Sequence, residues 1–199
     1  MAMARQGDLF DAQGLEQPLS PGLEPELPLL AAQLQQWQQR LALHQGPLFR
    51  GDAPQLQQQD LLGSIETSAA ERFDPLALRP QALSFWRWPQ TPVQGAALYV
   101  VLDRPAELEH PLLLYIGETG RAEQRWKGEH DCKAYLAAYG EALQKAGLST
   151  RLSIGFCSDV PAPVKARRAL EQALIRRWLP PFNKETRSRW ATPFQADAI

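Results

Sequence analysis

Only two cysteines, Cys132 and Cys157, occur in this chain of 199 residues, separated by 25 positions. Two thiols cannot complete a zinc site by themselves, and a lone disulfide is the less favoured reading in a chain without an export signal. No such signal is read in the opening MAMARQGDLF, which lacks an apolar core flanked by small residues. There is also no run near the ~18 apolar residues that a membrane helix needs. No membrane partner is expected, and the chain reads as cytoplasmic, nucleoid-associated if the cell is bacterial. An overall excess of charge is missing too, since 21 Lys and Arg face 22 Asp and Glu. What is there is the composition of a globular protein, 44% apolar and 22% charged, with length for one ordinary domain and an extension.

The near-neutral total conceals a gradient. Residues 1–94 carry 6 basic and 10 acidic side chains, and residues 95–199 carry 15 and 12. Within 165–189 there are 8 basic against 2 acidic. A cationic segment of this kind is either the solvated face of a helix or a surface for phosphate.

Composition also divides the chain near residue 93. QPLSPGLEPELP (17–28) has four prolines in twelve residues, each removing a donor and disfavouring helix just before it. Residues 1–28 therefore read as a flexible Pro-rich tail. In residues 29–93, Leu30, Leu34, Trp37 and Leu41 recur at helical spacing. A second, weaker helix is expected over 55–73, ending near Asp74-Pro75, and FWRWPQTP (85–92) reads as a turn-rich connection. This helical extension has too little core of its own and is expected to pack on the remainder.

Residues 94–190 are better organised. ALYVVL (97–102) and PLLLYIG (111–117) are β-rich runs divided by DRPAELEH, which suggests an antiparallel hairpin. RAEQRWKGE and CKAYLAAYGEALQKAG follow as helices, and RLSIGFC (151–157) alternates like a third strand. In PAPVKARRALEQALIRRWLPP, Leu170, Leu174 and Trp178 stand at i, i+4, i+8 before Pro180-Pro181 stops the helix. The expected class is α+β: a small three-stranded antiparallel sheet flanked by helices, with a mostly helical N-terminal extension.

One stretch asks for more than packing. LLLYIGETGRAEQRW (112–126) passes from a buried-strand pattern to a glycine, then to two arginines and a tryptophan. Tyr99 and Tyr115 lie in alternating strands and can project to one face of the hairpin. They are either ordinary strand packing or a pair of phenols facing a phosphate. Glu171 is the one acid between Asp159 and Glu185. It is either a surface glutamate paired with Arg167 or Arg168 or a carboxylate set to gather a metal ion and a phosphate.

Taken in order, Ala97-Leu98-Tyr99, Tyr115-Ile116-Gly117, Arg125-Trp126, Glu171 and Asn183 resemble the motifs of the GIY-YIG nucleases over about residues 95–186. The second motif is literal, while the first has Ala97 where the family has glycine. The resemblance implies a metal-dependent endonuclease that hydrolyses DNA phosphodiester bonds in repair, recombination or restriction. It implies Glu171 as the ligand of Mg²⁺, with Mn²⁺ as a substitute, because a hard cation that keeps its waters can be held by one carboxylate. Tyr99 is then a general base or proton relay, although a free phenol at pKa ~10 is a poor base at neutral pH. Tyr115 orients water or phosphate, and Arg125 holds nonbridging oxygens with its forked donors. Asn183 fixes the loop after the helix or bonds a substrate oxygen.

Other residues are left with two readings. His130 stands five residues past Arg125, where many family members have a histidine four residues past it. Either a break at Gly128 restores its aim, or Lys127 substitutes, or His130 is an exposed residue ahead of a helix capped by Asp131. Arg121, Arg167, Arg168, Arg176 and Lys184 are expected to contact the DNA backbone. The alternative to cleavage is a non-cleaving nucleic-acid-binding or protein-interaction module on the same scaffold. Separately, Gln6-Gly7-Asp8-Leu9-Phe10 resembles the short peptide by which bacterial repair proteins grip the sliding clamp, with two apolar anchors and a register-setting glutamine. Its other reading is an untethered acidic terminus.

Overall fold

β-branched and aromatic residues make ALYVVLD, LLLYIGET and SIGFC into strands β1 (Ala97–Asp103), β2 (Leu112–Thr119) and β3 (Ser153–Cys157). They form one antiparallel sheet in the order β2-β1-β3. The computed structural model describes residues 28–52, 65–84, 93–125 and 131–194. The Pro-rich tail to residue 27, the Gln6–Phe10 peptide, residues 85–92, and Trp126, Lys127 and His130 lie outside the described residues. The helices are α1 (Pro28–Arg50), α2 (Ile65–Arg72), α3 (Ala122–Arg125), α4 (Asp131–Lys145), α5 (Val164–Trp178) and α6 (Arg187–Trp190). The architecture is therefore α+β, an open three-stranded antiparallel sheet with helices packed on it. Among the described residues no helix is long and apolar enough to cross a membrane.

Each face of the sheet has its own core. Tyr99, Val101, Leu112, Leu114 and Ile154 are buried with Leu34, Trp37 and Leu41 of α1 and Leu136, Tyr139 and Leu143 of α4. On the other side, Leu98, Val100, Leu102, Leu113 and Ile116 are buried with Leu170, Leu174, Ile175 and Trp178 of α5. The helical repeat read in 29–43 is thus the apolar stripe of α1, which runs on through Pro47 to Arg50. Of the helix expected over 55–73, Ile65–Arg72 is helical and 53–64 is outside the described residues.

A bulge decides what β2 shows to each side. The β1–β2 register shifts between Val101 and Leu102, so that Tyr115 opposes Val101 while Leu113 opposes Leu102. Leu114 is the extra residue. Simple alternation from Leu113 would put Tyr115 with Leu113 and against α5. The bulge instead turns Leu114 and Tyr115 both toward the face that carries Tyr99.

The outer edge of β2 is covered residue by residue. Gln45 of α1 donates to Leu113 O (3.0 Å) and accepts from Leu113 N (2.9 Å). Phe182 N donates to Leu114 O (3.0 Å). Asn183 takes both backbone groups of Ile116, and Glu171 accepts from Glu118 N (2.9 Å). An edge strand with unpaired amides is costly to bury, and four side-chain or loop partners remove that cost here.

At the other end of β1, the buried carboxylate of Asp103 accepts from the Tyr139 hydroxyl (2.7 Å), Thr150 Oγ1 (2.9 Å) and Arg151 N (2.7 Å). Gln38 Nε2 completes the set on Tyr139 (2.7 Å), which ties α1, α4 and β1 together. Asp103→Ala leaves the buried Tyr139 hydroxyl and the part-buried donors of Thr150 and Arg151 without an acceptor and is expected to destabilise by about 3 kcal/mol. A thermal melt should then fall by roughly 6–12 °C, with Asp103→Asn, which keeps one acceptor oxygen, falling less.

Candidate active site

The Tyr99 ring lies across the strand from Gly117, its register partner. It is held between Tyr115 and Phe156, each with its ring centroid 5.9 Å away. A Cβ on Gly117 would overlap Cζ and Oη of Tyr99 and come within 2.9 Å of Tyr115 Cε1. The glycine of the YIG run is therefore the space that the first tyrosine occupies. Arg125 Nε donates to the Tyr99 hydroxyl (3.2 Å), and both Tyr99 and Arg125 are hydrogen-bonded to Tyr115. Tyr99 is fully buried, Tyr115 half-buried and Arg125 exposed.

Arg125 owes its place to how the chain leaves β2. Thr119 Oγ1 accepts from Arg121 N (3.0 Å), turning the backbone into α3. Ala122 N then donates to Gly95 O (2.8 Å), and Gly95 N donates to Glu123 Oε2 (3.0 Å). Gly95 has φ +80, a backbone that other residues rarely adopt, so α3 is clipped to the start of β1 at a site fit for glycine. This clip aims a four-residue helix at the two phenols.

Glu171 reaches the group from α5 along the β2 edge. Burial raises its carboxyl to about 7; the bond from Glu118 N opposes the rise, the Glu118 and Glu185 carboxylates add to it, and Arg125 counters it. Arg125 thus acts on both the phenols and this acid. The pairing of Glu171 with Arg167 or Arg168 is not what forms. Both arginines go to Glu118 instead, Arg167 Nε at 2.8 Å and Arg168 Nε at 3.3 Å. Among the described residues no ion pair engages Glu171.

Burial pushes Tyr99 up to about 12, although the charge and hydrogen bond of Arg125 pull it back. Tyr115 is pushed further above the usual phenol range, by burial first and then by Tyr99. Neither phenol is poised to ionise alone. A hydroxyl pair of this kind can pass a proton along more readily than it can keep a negative charge.

No group of three or more His, Cys, Asp or Glu among the described residues could share a metal ion. A many-ligand centre is not what they offer. Glu171 by itself does fit a hard, hydrated cation: one oxygen is fixed by Glu118 N, and its charge lacks an ion-pair partner among the described residues in a partly buried place.

Two expected site residues have other work. Arg167, expected on a nucleic-acid face, is 2% exposed, paired to Glu118 and donating to Pro161 O and Ala162 O. Burial with an acid and two carbonyls makes it a clamp between α5 and β2. Asn183, 3% exposed, accepts from Ile116 N (3.0 Å) and donates to Ile116 O (2.8 Å), so its carboxamide fixes the loop and does not face substrate. Asn183→Ala is expected to cost about 2–3 kcal/mol by stranding two backbone groups, read as a lower urea midpoint with an unchanged slope. Arg168, Arg176, Lys184 and Arg121 are exposed.

Sequence reasoning missed Glu118, which anchors Arg167 and Arg168 and presents its amide to Glu171. The signal for it was a lone acid inside an otherwise apolar strand. Gln45 gave none, since a glutamine in a Gln-rich helix looks like its neighbours. A cleft of about 330 Å³ lined by Ala42, Leu43, Gly46, Arg50, Leu108 and His110 lies beside the β1–β2 loop, away from the phenols. No family model matches the chain, and neither a curated protein nor a solved structure does.

Proposed function

We propose that the chain is a GIY-YIG-type endonuclease that hydrolyses DNA phosphodiester bonds, in repair, recombination or restriction. The observation that carries this reading is the convergence of Tyr99, Tyr115 and Arg125 in one hydrogen-bonded group whose arginine also acts on Glu171. Phosphoryl chemistry of this type needs a proton taken from water, charge on the phosphate offset and the leaving oxygen stabilised. Mg²⁺ on Glu171 supplies charge neutralisation and leaving-group stabilisation when bound. Arg125, exposed beside the phenols, offers its guanidinium to nonbridging oxygens.

Tyr99 acts as a relay in this reading. Its high pKa argues against a standing phenolate, so it accepts a proton from the attacking water as its own hydroxyl proton passes to a nonbridging phosphate oxygen, which leaves both phenols neutral while the new P–O bond forms and the leaving oxygen departs. Arg125 holds the hydroxyl in place and lessens the cost of any charge that develops there. Glu171 is held at the β2 edge by the Glu118 amide, which fixes one carboxylate oxygen and leaves the direction of the other set.

The test is cleavage of duplex, nicked, flap and junction DNAs with Mg²⁺ and with chelator, using Glu171→Gln beside the wild type. Metal-dependent cutting by the wild type alone supports the reading, and inert wild type on every substrate ends it. The full burial of Tyr99 favours a second reading, a non-cleaving nucleic-acid-binding domain. That reading expects binding without cutting in the same assay.

A further inference from the structure

We propose that α1, α6 and the last turn of α5 together form a second phosphate-binding surface, centred on Arg40, His44 and Arg189, that grips the backbone of duplex DNA beyond the scissile phosphate. DNA as the ligand rests on the nuclease reading above. The surface itself rests on what these helices bring together.

Arg40 and His44 stand four apart on α1 and so share a face. Arg40 Nη2 donates to Trp190 O (3.3 Å), and the His44 ring lies 6.0 Å from the Trp190 ring. His44 Nε2 meets Arg177 O (3.3 Å) at the end of α5. Arg189 precedes Trp190 and is near enough to act on His44. Burial first, and then that charge, hold the imidazole below its usual pKa against the pull of the Arg177 carbonyl. α1 and α6 thus deliver cationic or neutral-donor side chains around one tryptophan, and the end of α5 adds the Arg177 carbonyl beside them.

No acid among the described residues offsets them. Arg50 pairs with Asp52, Lys145 with Glu141, and Arg167 and Arg168 with Glu118. Among the described residues Arg40, Arg177 and Arg189 have no ion pair, and the Arg177 Nε is buried without an acceptor. Glu185, the acid nearest in sequence, takes the Gln172 amide. Like charges left together cost stability unless a polyanion meets them, and five-donor guanidinium groups suit phosphate.

Spacing also fits. Arg177 lies six residues past Glu171, about 9 Å along α5, and phosphates on one DNA strand advance about 3.4 Å along the axis per nucleotide. Along the helix axis the last turn of α5 is thus only a few phosphate steps from Glu171. This gives the N-terminal helix a role in substrate grip, through Arg40 and His44.

The test is fluorescence anisotropy of a labelled duplex in chelator across a salt series, with wild type, Arg189→Gln and Arg40→Gln/Arg189→Gln. Each phosphate contact contributes about 0.9 to the slope of log K against log salt. Arg189→Gln, which breaks no side-chain hydrogen bond or ion pair among the described residues, should lower the slope by about 0.9 and the double variant by about twice that, with Kd near 0.1 M salt weaker by roughly eightfold and roughly sixtyfold respectively. Arg50→Gln, at the other cleft, should match wild type. Wild-type slope and Kd in both Arg189 variants, or no duplex binding by the wild type, overturns the surface. A wild type that cuts DNA while the variants keep its slope rejects the surface alone. A wild type that binds duplex through these residues yet cuts nothing in Mg²⁺ rejects the nuclease reading and leaves the surface standing.

Discussion

Glutamine in place of Glu171 is expected to make the protein more stable at pH 8 and, on the nuclease reading, to lower DNA cleavage about a thousandfold. The two effects share one cause. The carboxyl sits near 7 in the folded chain against an ordinary value of 4.5. Between those values the folded state holds more protons than the unfolded one, so stability falls as pH rises through that window. The penalty is absent below pH 4.5 and complete above 7. A tenfold difference in proton affinity between the two states corresponds to about 1.4 kcal/mol. Solvent access at this partly exposed group reduces the whole penalty to roughly 1–2 kcal/mol. Glutamine keeps the acceptor for Glu118 N and removes the charge, so the melting temperature should rise by about 3–6 °C at pH 8 and stay level near pH 4.

Divalent metal separates this from a general surface effect. A cation held tenfold above its Kd stabilises by about 1.4 kcal/mol. Mg²⁺ should therefore raise the melting point of wild type at pH 8 and leave Glu171→Gln where it was. Cleavage by the variant should fall about a thousandfold, roughly 4 kcal/mol of transition-state stabilisation. A variant that cuts like wild type removes Glu171 from the chemistry.

Gly117→Ala is expected to be nearly as damaging with one added carbon. The new methyl overlaps the end of the Tyr99 ring and crowds Tyr115. Tyr99 has Phe156 on one side and Tyr115 on the other and cannot yield freely. Overpacking of this kind costs about 1–3 kcal/mol, a drop of roughly 3–10 °C in melting temperature. Displacing the Tyr99 hydroxyl also breaks its bond from Arg125, and an error near 1 Å at such a group costs about a hundredfold in rate. Gly140→Ala is the control. Nothing lies within 4 Å of its would-be Cβ in the helical interior of α4, so alanine should stabilise by about 0.5–1 kcal/mol. Equal melting shifts in the two variants would show that Tyr99 does not fill the space above Gly117.

Much of this architecture was readable in the chain because periodicity is a local property. Leu170, Leu174 and Trp178 mark the buried stripe of α5, and all three are buried. A β-rich run marked ALYVVL and alternation marked RLSIGFC, and the order of strands and helices followed from these. The four residues Tyr99, Tyr115, Arg125 and Glu171 were singled out by their resemblance to the GIY-YIG motifs. Partners across the fold could not. Arg167 and Arg168 look alike in sequence and both pair with Glu118, yet one is 2% exposed, donating as well to the Pro161 and Ala162 carbonyls, and the other has a side chain 68% exposed.

Sequence alone determined most of the elements and their order, because each depends on residues a few positions apart, and the resemblance to the GIY-YIG motifs singled out the side chains proposed for phosphate chemistry. Tertiary structure decided which way those side chains face. The bulge at Leu114 turns Tyr115 toward Tyr99, and the clip between Gly95 and α3 brings Arg125 to the phenols. The outer edge of β2 draws Gln45, Asn183 and Glu171 into line. Each is a matter of backbone hydrogen bonds being satisfied between segments far apart in the chain, and a pattern of neighbours carries no record of that.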